Sequence, residues 1–113
     1  MKASALRILH GGLPLALGVL ILAAPLFAQG DGASLFKSKC AACHGADGSG
    51  NTPVGKSMKL RDLGSADVQK QTDLDLTAMI TNGKGAMPSY KDKLTADQTK
   101  QLVAFIRSLT KKG

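Results

Sequence analysis

Cys40-Ala41-Ala42-Cys43-His44 constrains this chain more than any other stretch. Residues three and four apart share a face of a helical turn, so both thiols and the imidazole point the same way. C-x-x-C-H is the attachment signature for a c-type haem. The spacing lets two thiols reach the vinyl carbons on one edge of a porphyrin, while the imidazole turns beneath to meet the iron. Cys40, Cys43 and His44 are therefore the first candidate cofactor-binding residues, and His44 the first metal ligand.

Other uses of paired cysteines fit less well. A structural zinc site needs four Cys or His ligands. This chain has two Cys and two His, and His10 lies in an N-terminal segment expected to be removed. A thioredoxin-like pair belongs in a βαβ context, which the pattern lacks. A disulfide closing so short a loop would constrain the unfolded state only weakly.

The first 28 residues read as a signal peptide. Lys2 and Arg7 form a basic start, and an uncharged run extends from Leu13 to Ala28. Leu26-Phe27-Ala28 is an imperfect cleavage site, with Leu26 where a small residue is preferred. The rival reading is an uncleaved anchor, although the run is short for a bilayer span and Pro14 and Pro25 interrupt it. The expected organisation is a cleaved segment 1–28 and one domain over 29–113, exported to the periplasm. A domain of about 85 residues buries limited apolar surface by itself. A covalently held haem would complete its core, and folding should depend on it as small metal domains depend on their ion.

Without Lys2 and Arg7, 13 basic residues face 8 acidic ones, all Asp, for a formal +5. Lysines spread from Lys37 to Lys112. They give either a solvated basic surface or a field that steers an acidic partner. Nucleic acid is not an expected partner, since the chain has one Tyr, three Phe and no arginine cluster.

Three main helices are predicted, with no strand pattern. The first runs from about Ala33 to Cys43, with Asp31 as N-cap, Leu35 and Phe36 as apolar face, and Gly32 allowing a close helix approach. The second starts after Thr72 or Asp73, carries Leu74, Leu76, Met79 and Ile80, and stops at Asn82-Gly83. The third opens on the capping box Thr95-x-x-Gln98 and repeats Leu102, Val103, Phe105, Ile106 and Leu109 at helical spacing. Lys111 and Lys112 put positive charge near its end. Gly45 to Gln71 is a long loop suited to wrapping a cofactor, with a short helix around Ser65 to Lys70.

The second iron ligand follows partly by elimination. With one histidine left after cleavage, a bis-histidine monomer is excluded, leaving Met, Lys or an open site. Met79 falls among apolar helix positions and reads as core. Met58 lies in the loop, with no visible reason to be fixed. Met87 sits in Gly83-Lys84-Gly85-Ala86-Met87-Pro88, where small residues let backbone approach a flat ligand and Pro88 stiffens the segment. Met87 is the preferred distal ligand.

Residues 31 to 113 resemble the small class I cytochromes c. The resemblance rests on the helix entering C-x-x-C-H-G, on Gly48 to Pro53, on Asn-Gly-x-x-x-Met-Pro at Asn82 to Pro88, and on the helix Leu102 to Leu109. It implies an all-α fold, three main helices and a long loop wrapped around one covalently bound haem c. It also implies thioethers at Cys40 and Cys43, His44 as proximal and Met87 as distal ligand, and a Pro53 carbonyl accepting from the other His44 nitrogen. Gly32 and Phe105 match the crossing of the first and last helices. Phe36, Leu63 and Tyr90 match positions against the haem, with ordinary core packing an equal reading. Arg61 is a candidate propionate contact.

Two protein ligands on the iron leave no position for substrate, so the expected function is a periplasmic electron carrier and not an enzyme. Its partners would be redox proteins with an acidic docking surface. The chain would act as a monomer, meeting a membrane only through a membrane-bound redox complex or an uncleaved N-terminal segment. A haem subunit of an oxidase or dehydrogenase complex would carry identical site chemistry. A gas-binding sensor or enzyme would need an open distal side.

Overall fold

The computed structural model describes residues 11–21 and 27–111, with side chains from residue 31 in the second segment. Lys2, Arg7, His10, Leu26, the Ala28 side chain, Lys112 and Gly113 lie outside that description. Residues 13 to 21 have no regular structure, and their large apolar side chains are exposed. Among the described residues, no helix is long and apolar enough to cross a membrane.

Six helices follow in order: α1 Phe27–Lys39, α2 Ala41–His44, α3 Pro53–Ser57, α4 Ala66–Gln69, α5 Asp73–Asn82 and α6 Ala96–Ser108. The three long ones, α1, α5 and α6, form the frame, and among the described residues there is no strand. The first boundary differs from expectation. Asp31 lies inside α1 and is not its N-cap, and the helix breaks at Cys40 before α2 instead of running through to Cys43.

α5 and α6 start where their polar pairs dictate. Thr72 accepts from the Asp75 N–H at 3.1 Å, while the Asp75 carboxylate accepts from the Thr72 N–H at 3.0 Å. Thr95 and Gln98 repeat the arrangement at the head of α6. Each box satisfies two donors that a helix start would otherwise leave open. α5 ends at Gly83, whose φ of +69° turns the chain out of the helix.

The core comprises Phe36 from α1, Val68 from α4, Leu76 and Ile80 from α5, and Leu102, Val103 and Ile106 from α6. The α1–α6 crossing is the tightest join. A Cβ at Gly32 would stand 2.5 Å from the Gln101 carbonyl oxygen and 3.3 Å from the Phe105 Cβ, so only glycine permits this approach. Beside it the rings of Phe36 and Phe105 pack at 4.9 Å between centroids. Leu74 departs from expectation: it is 78% exposed, because α5 turns Leu76 and Ile80 inward. Met79 is half-buried and outside the core cluster.

The loop between residues 45 and 71 is held from the C-terminal end. Gln69 donates from Nε2 to the Leu63 and Ile106 carbonyls at 2.8 and 2.9 Å. Arg107 donates to the Gln69 and Gln71 carbonyls and pairs with Asp73 at 2.8 Å. Lys111, expected to serve the helix dipole, instead pairs with Asp62.

Candidate functional site: an apolar cavity in front of the cysteine turn

The site begins with a single turn of backbone. The N–H groups of Cys43 and His44 donate to the Cys40 carbonyl at 3.2 and 2.9 Å, which fixes both cysteines and the histidine in one helical turn. The following loop braces that turn from behind. The Gly50 N–H donates to the His44 carbonyl at 2.7 Å, and the Thr52 hydroxyl donates to the Cys43 carbonyl at 2.6 Å. Thr52 also caps α3, accepting from the Gly55 N–H at 2.8 Å. A Cβ at Gly55 would meet the Gly50 oxygen at 2.2 Å and the Cys43 oxygen at 2.8 Å. α3 was not expected from the sequence, yet Thr52-Pro53 is a visible start signal, an N-cap hydroxyl followed by proline in the first turn.

In front of the turn lies a cavity of about 360 Å³, within the usual range for small-ligand sites. Cys40, Cys43 and His44 form one part of its wall; Ala86, Met87, Pro88 and Tyr90 form another. Met58 and Leu60 add further apolar lining, and Lys39 and Lys84 are among the lining residues. All four candidate site residues, Cys40, Cys43, His44 and Met87, thus line one cavity.

Met87 is carried on a tight turn. Lys84 and Met87 exchange backbone hydrogen bonds at 3.0 Å in both directions, an isolated antiparallel bridge. Just beyond, the Ser89 hydroxyl donates to the Thr81 carbonyl at 2.6 Å and the Tyr90 N–H to the Ile80 carbonyl at 3.1 Å. The segment is therefore anchored to the last turn of α5.

The other expectations divide. Tyr90 lines the cavity, whereas Phe36 is buried in the core with its ring 6.4 Å from that of His44. Leu63 does not line it; its side chain packs beside Gly48. Arg61 is exposed and outside the cavity wall. Met58, for which no fixed role was expected, is on the wall. The expected bond from His44 to the Pro53 carbonyl is not made: His44 Nδ1 is buried with no hydrogen-bond partner.

The electrostatics suit a neutral donor set. Burial holds the His44 pKa below its ordinary value, keeping the imidazole uncharged and able to offer a lone pair to a metal. Burial pushes the Cys40 thiol up to about 11, with Lys39 acting in the opposite sense. That is the reverse of an activated thiolate, which needs a depressed pKa. A half-buried imidazole with an unsatisfied nitrogen, two thiols on the same turn and a thioether across an apolar space fit a covalently bound haem.

Comparison with known proteins points the same way. The sequence profile of the family described as cytochrome c oxidase, cbb3-type, subunit III matches residues 28–106. The chain is 37% identical to cytochrome c6 of Leptolyngbya boryana over 82 residues, covering 73% of this chain and 93% of that protein. It is 36% identical to cytochrome c6 of Gloeothece citriformis over 94 residues, covering 79% and 80%. Among solved structures it is similar to the KustC0563 c-type cytochrome, with a TM-score of 0.67 and 34% identity over 72% of this chain and 99% of that one.

Proposed function

The chain belongs to the small class I cytochromes c, and on that premise we propose that it carries single electrons in the periplasm at an iron held between His44 and Met87. Membership of the family brings one covalent haem c and an electron-carrier role. The finer assignment is that Cys40 and Cys43 form the thioether bonds. The observation that carries it is the convergence of these four side chains on one apolar cavity.

When bound, the haem supplies a one-electron ferrous/ferric couple. The protein's residues set the conditions for that couple. His44, neutral through burial, would hold the iron by a ring nitrogen. Met87 would hold it by its thioether, and Met/His ligation would raise the reduction potential because sulfur favours the ferrous state. Leu60, Ala86 and Pro88 line the cavity with apolar groups that would cover part of the haem, which would disfavour the more highly charged oxidised form. With His44 and Met87 holding the iron, no residue would need a catalytic role, which supports a carrier and not an enzyme.

Lys39 and Lys84 at the cavity give its rim positive charge, which supports transient docking to redox proteins with an acidic face. Similarity over 93% of the cytochrome c6 of Leptolyngbya boryana supports the carrier reading. The match to a family named for an oxidase subunit supports a second reading, a haem subunit within a respiratory complex.

Visible spectra of the exported holoprotein, oxidised and reduced, with and without carbon monoxide, test the proposal. Low-spin haem with ferrous bands unmoved by the gas is the expected result. High-spin ferric iron or carbon monoxide binding would mean an open distal side. Met87→Ala should lower the potential and admit carbon monoxide; unchanged spectra would sink the Met87 assignment.

A further inference from the structure

Tyr90 joins two parts of the chain that the site needs to keep together. Its hydroxyl donates to the Lys39 carbonyl at 2.9 Å, across 51 residues of sequence. Lys39 is the last residue of α1, immediately before Cys40. Tyr90 follows Met87 by three positions, and its ring lines the cavity with Met87 and His44. Among the hydrogen bonds of the described residues, this is the only one linking segment 83–94 to segment 31–45. The remaining anchors of the Met87 turn, Ser89 to Thr81 and Tyr90 N–H to Ile80, run to α5. They hold the turn to a helix but not to the cysteine turn opposite.

We propose that the Tyr90 hydroxyl is a positioning group that ties the Met87 turn to the end of α1 and so slows displacement of Met87 from the iron. The inference rests on Met87 being the distal ligand. Withdrawal of Met87 requires the 83–94 segment to move away from the 39–44 turn, and such a movement breaks the Tyr90–Lys39 bond. The ring is already restrained by its place in the cavity wall, with Lys93 Nζ 5.7 Å from its centroid, so little freedom is lost when the hydroxyl binds. Phenylalanine would fill the same wall without the link. Opening should then be favoured by the net worth of one hydrogen bond, about 2- to 12-fold.

The test follows capture of imidazole by the ferric holoprotein, with urea unfolding measured alongside, in wild type, Tyr90→Phe and Arg107→Lys. Arg107 braces residues 69–73 and touches neither side of the cavity, so Arg107→Lys weakens the fold remotely. Tyr90→Phe should capture imidazole several-fold faster, whereas Arg107→Lys should lower the urea midpoint with capture near the wild-type rate. A wild-type capture rate in Tyr90→Phe would overturn the proposal. Acceleration of both variants in proportion to lost stability would also overturn it, since the hydroxyl would then support only the global fold. Met87→Ala separates the underlying reading: if it keeps the wild-type ferric spectrum and capture rate, the ligand assignment fails and the tether fails with it.

Discussion

The Thr52 hydroxyl bridges two helix ends, donating to the Cys43 carbonyl at 2.6 Å while accepting from the Gly55 N–H at 2.8 Å. One oxygen thus closes the C-terminal side of the cysteine turn and opens α3. Thr52→Val keeps the shape of the side chain and removes both bonds. Loss of an N-cap typically costs about 1 kcal/mol, and the Cys43 carbonyl loses a partner as well. The expected outcome is a fall of about 1–2 kcal/mol in urea unfolding free energy. An unchanged midpoint would show that water replaces the hydroxyl at no cost.

Gly32 offers a sharper steric test. Its missing Cβ leaves room for the Gln101 carbonyl, which a side chain would meet at 2.5 Å. Gly32→Val must therefore push α1 off α6. Overpacking of this kind costs about 1–3 kcal/mol, and equilibrium denaturation of the holoprotein measures it. A smaller cost would mean that the helix crossing is more compliant than the contact implies.

Acid should loosen the join between the loop and the C-terminus. The Lys111 ammonium and the Gly64 N–H hold the Asp62 carboxyl below its ordinary value. A depressed carboxylate contributes stability above its unfolded-chain value, about 3.9, and loses it as pH falls through the lower folded value. Lys111 is raised by the same pair, so its share is present at neutral pH and fades as pH rises through its folded value. Lys111 is exposed and Asp62 is only half-buried, so solvent screening keeps the effect small. Asp62→Asn should therefore separate from wild type in urea midpoint near neutrality and converge with it in acid, as pH falls through the lowered folded value. A gap that persists in acid would assign the effect to packing.

Docking should carry the imprint of the lysines at the cavity. Association with a negatively charged redox partner slows as salt is added, because screening acts over about 10 Å at 0.1 M. Lys84→Glu should slow it further at low salt and converge with wild type at high salt in stopped-flow electron transfer. Rates independent of both salt and substitution would remove Lys84 from the docking face.

The long helices were legible because local rules decide them. Thr72 and Thr95 begin α5 and α6 through capping side chains that the sequence displays, and the apolar spacing of Leu102, Val103 and Ile106 anticipates the buried face of α6. The start of α1 was misplaced because Asp31 looks like a cap, whereas the helix already begins at Phe27. Leu74 looked inward by type, but its angular position on α5 sends it to solvent. At the site, the four proposed haem-binding residues were readable because their chemistry is uncommon in combination. Leu60 and Met58 on the cavity wall, and Leu63 away from it, were not readable. Their places depend on how α3 and the loop after it fold back, a long-range outcome with no short sequence signature.

The crossing of α1 and α6 also governs the order of events in time. The first long helix of the domain has its principal partner in the last, so Phe36 finds Leu102 and Phe105 only after nearly the whole chain has emerged. No N-terminal fragment contains a finished core. Cys40 and Cys43 thus belong to a chain that remains open until its final helix arrives, giving any reaction at those thiols an interval before the domain closes.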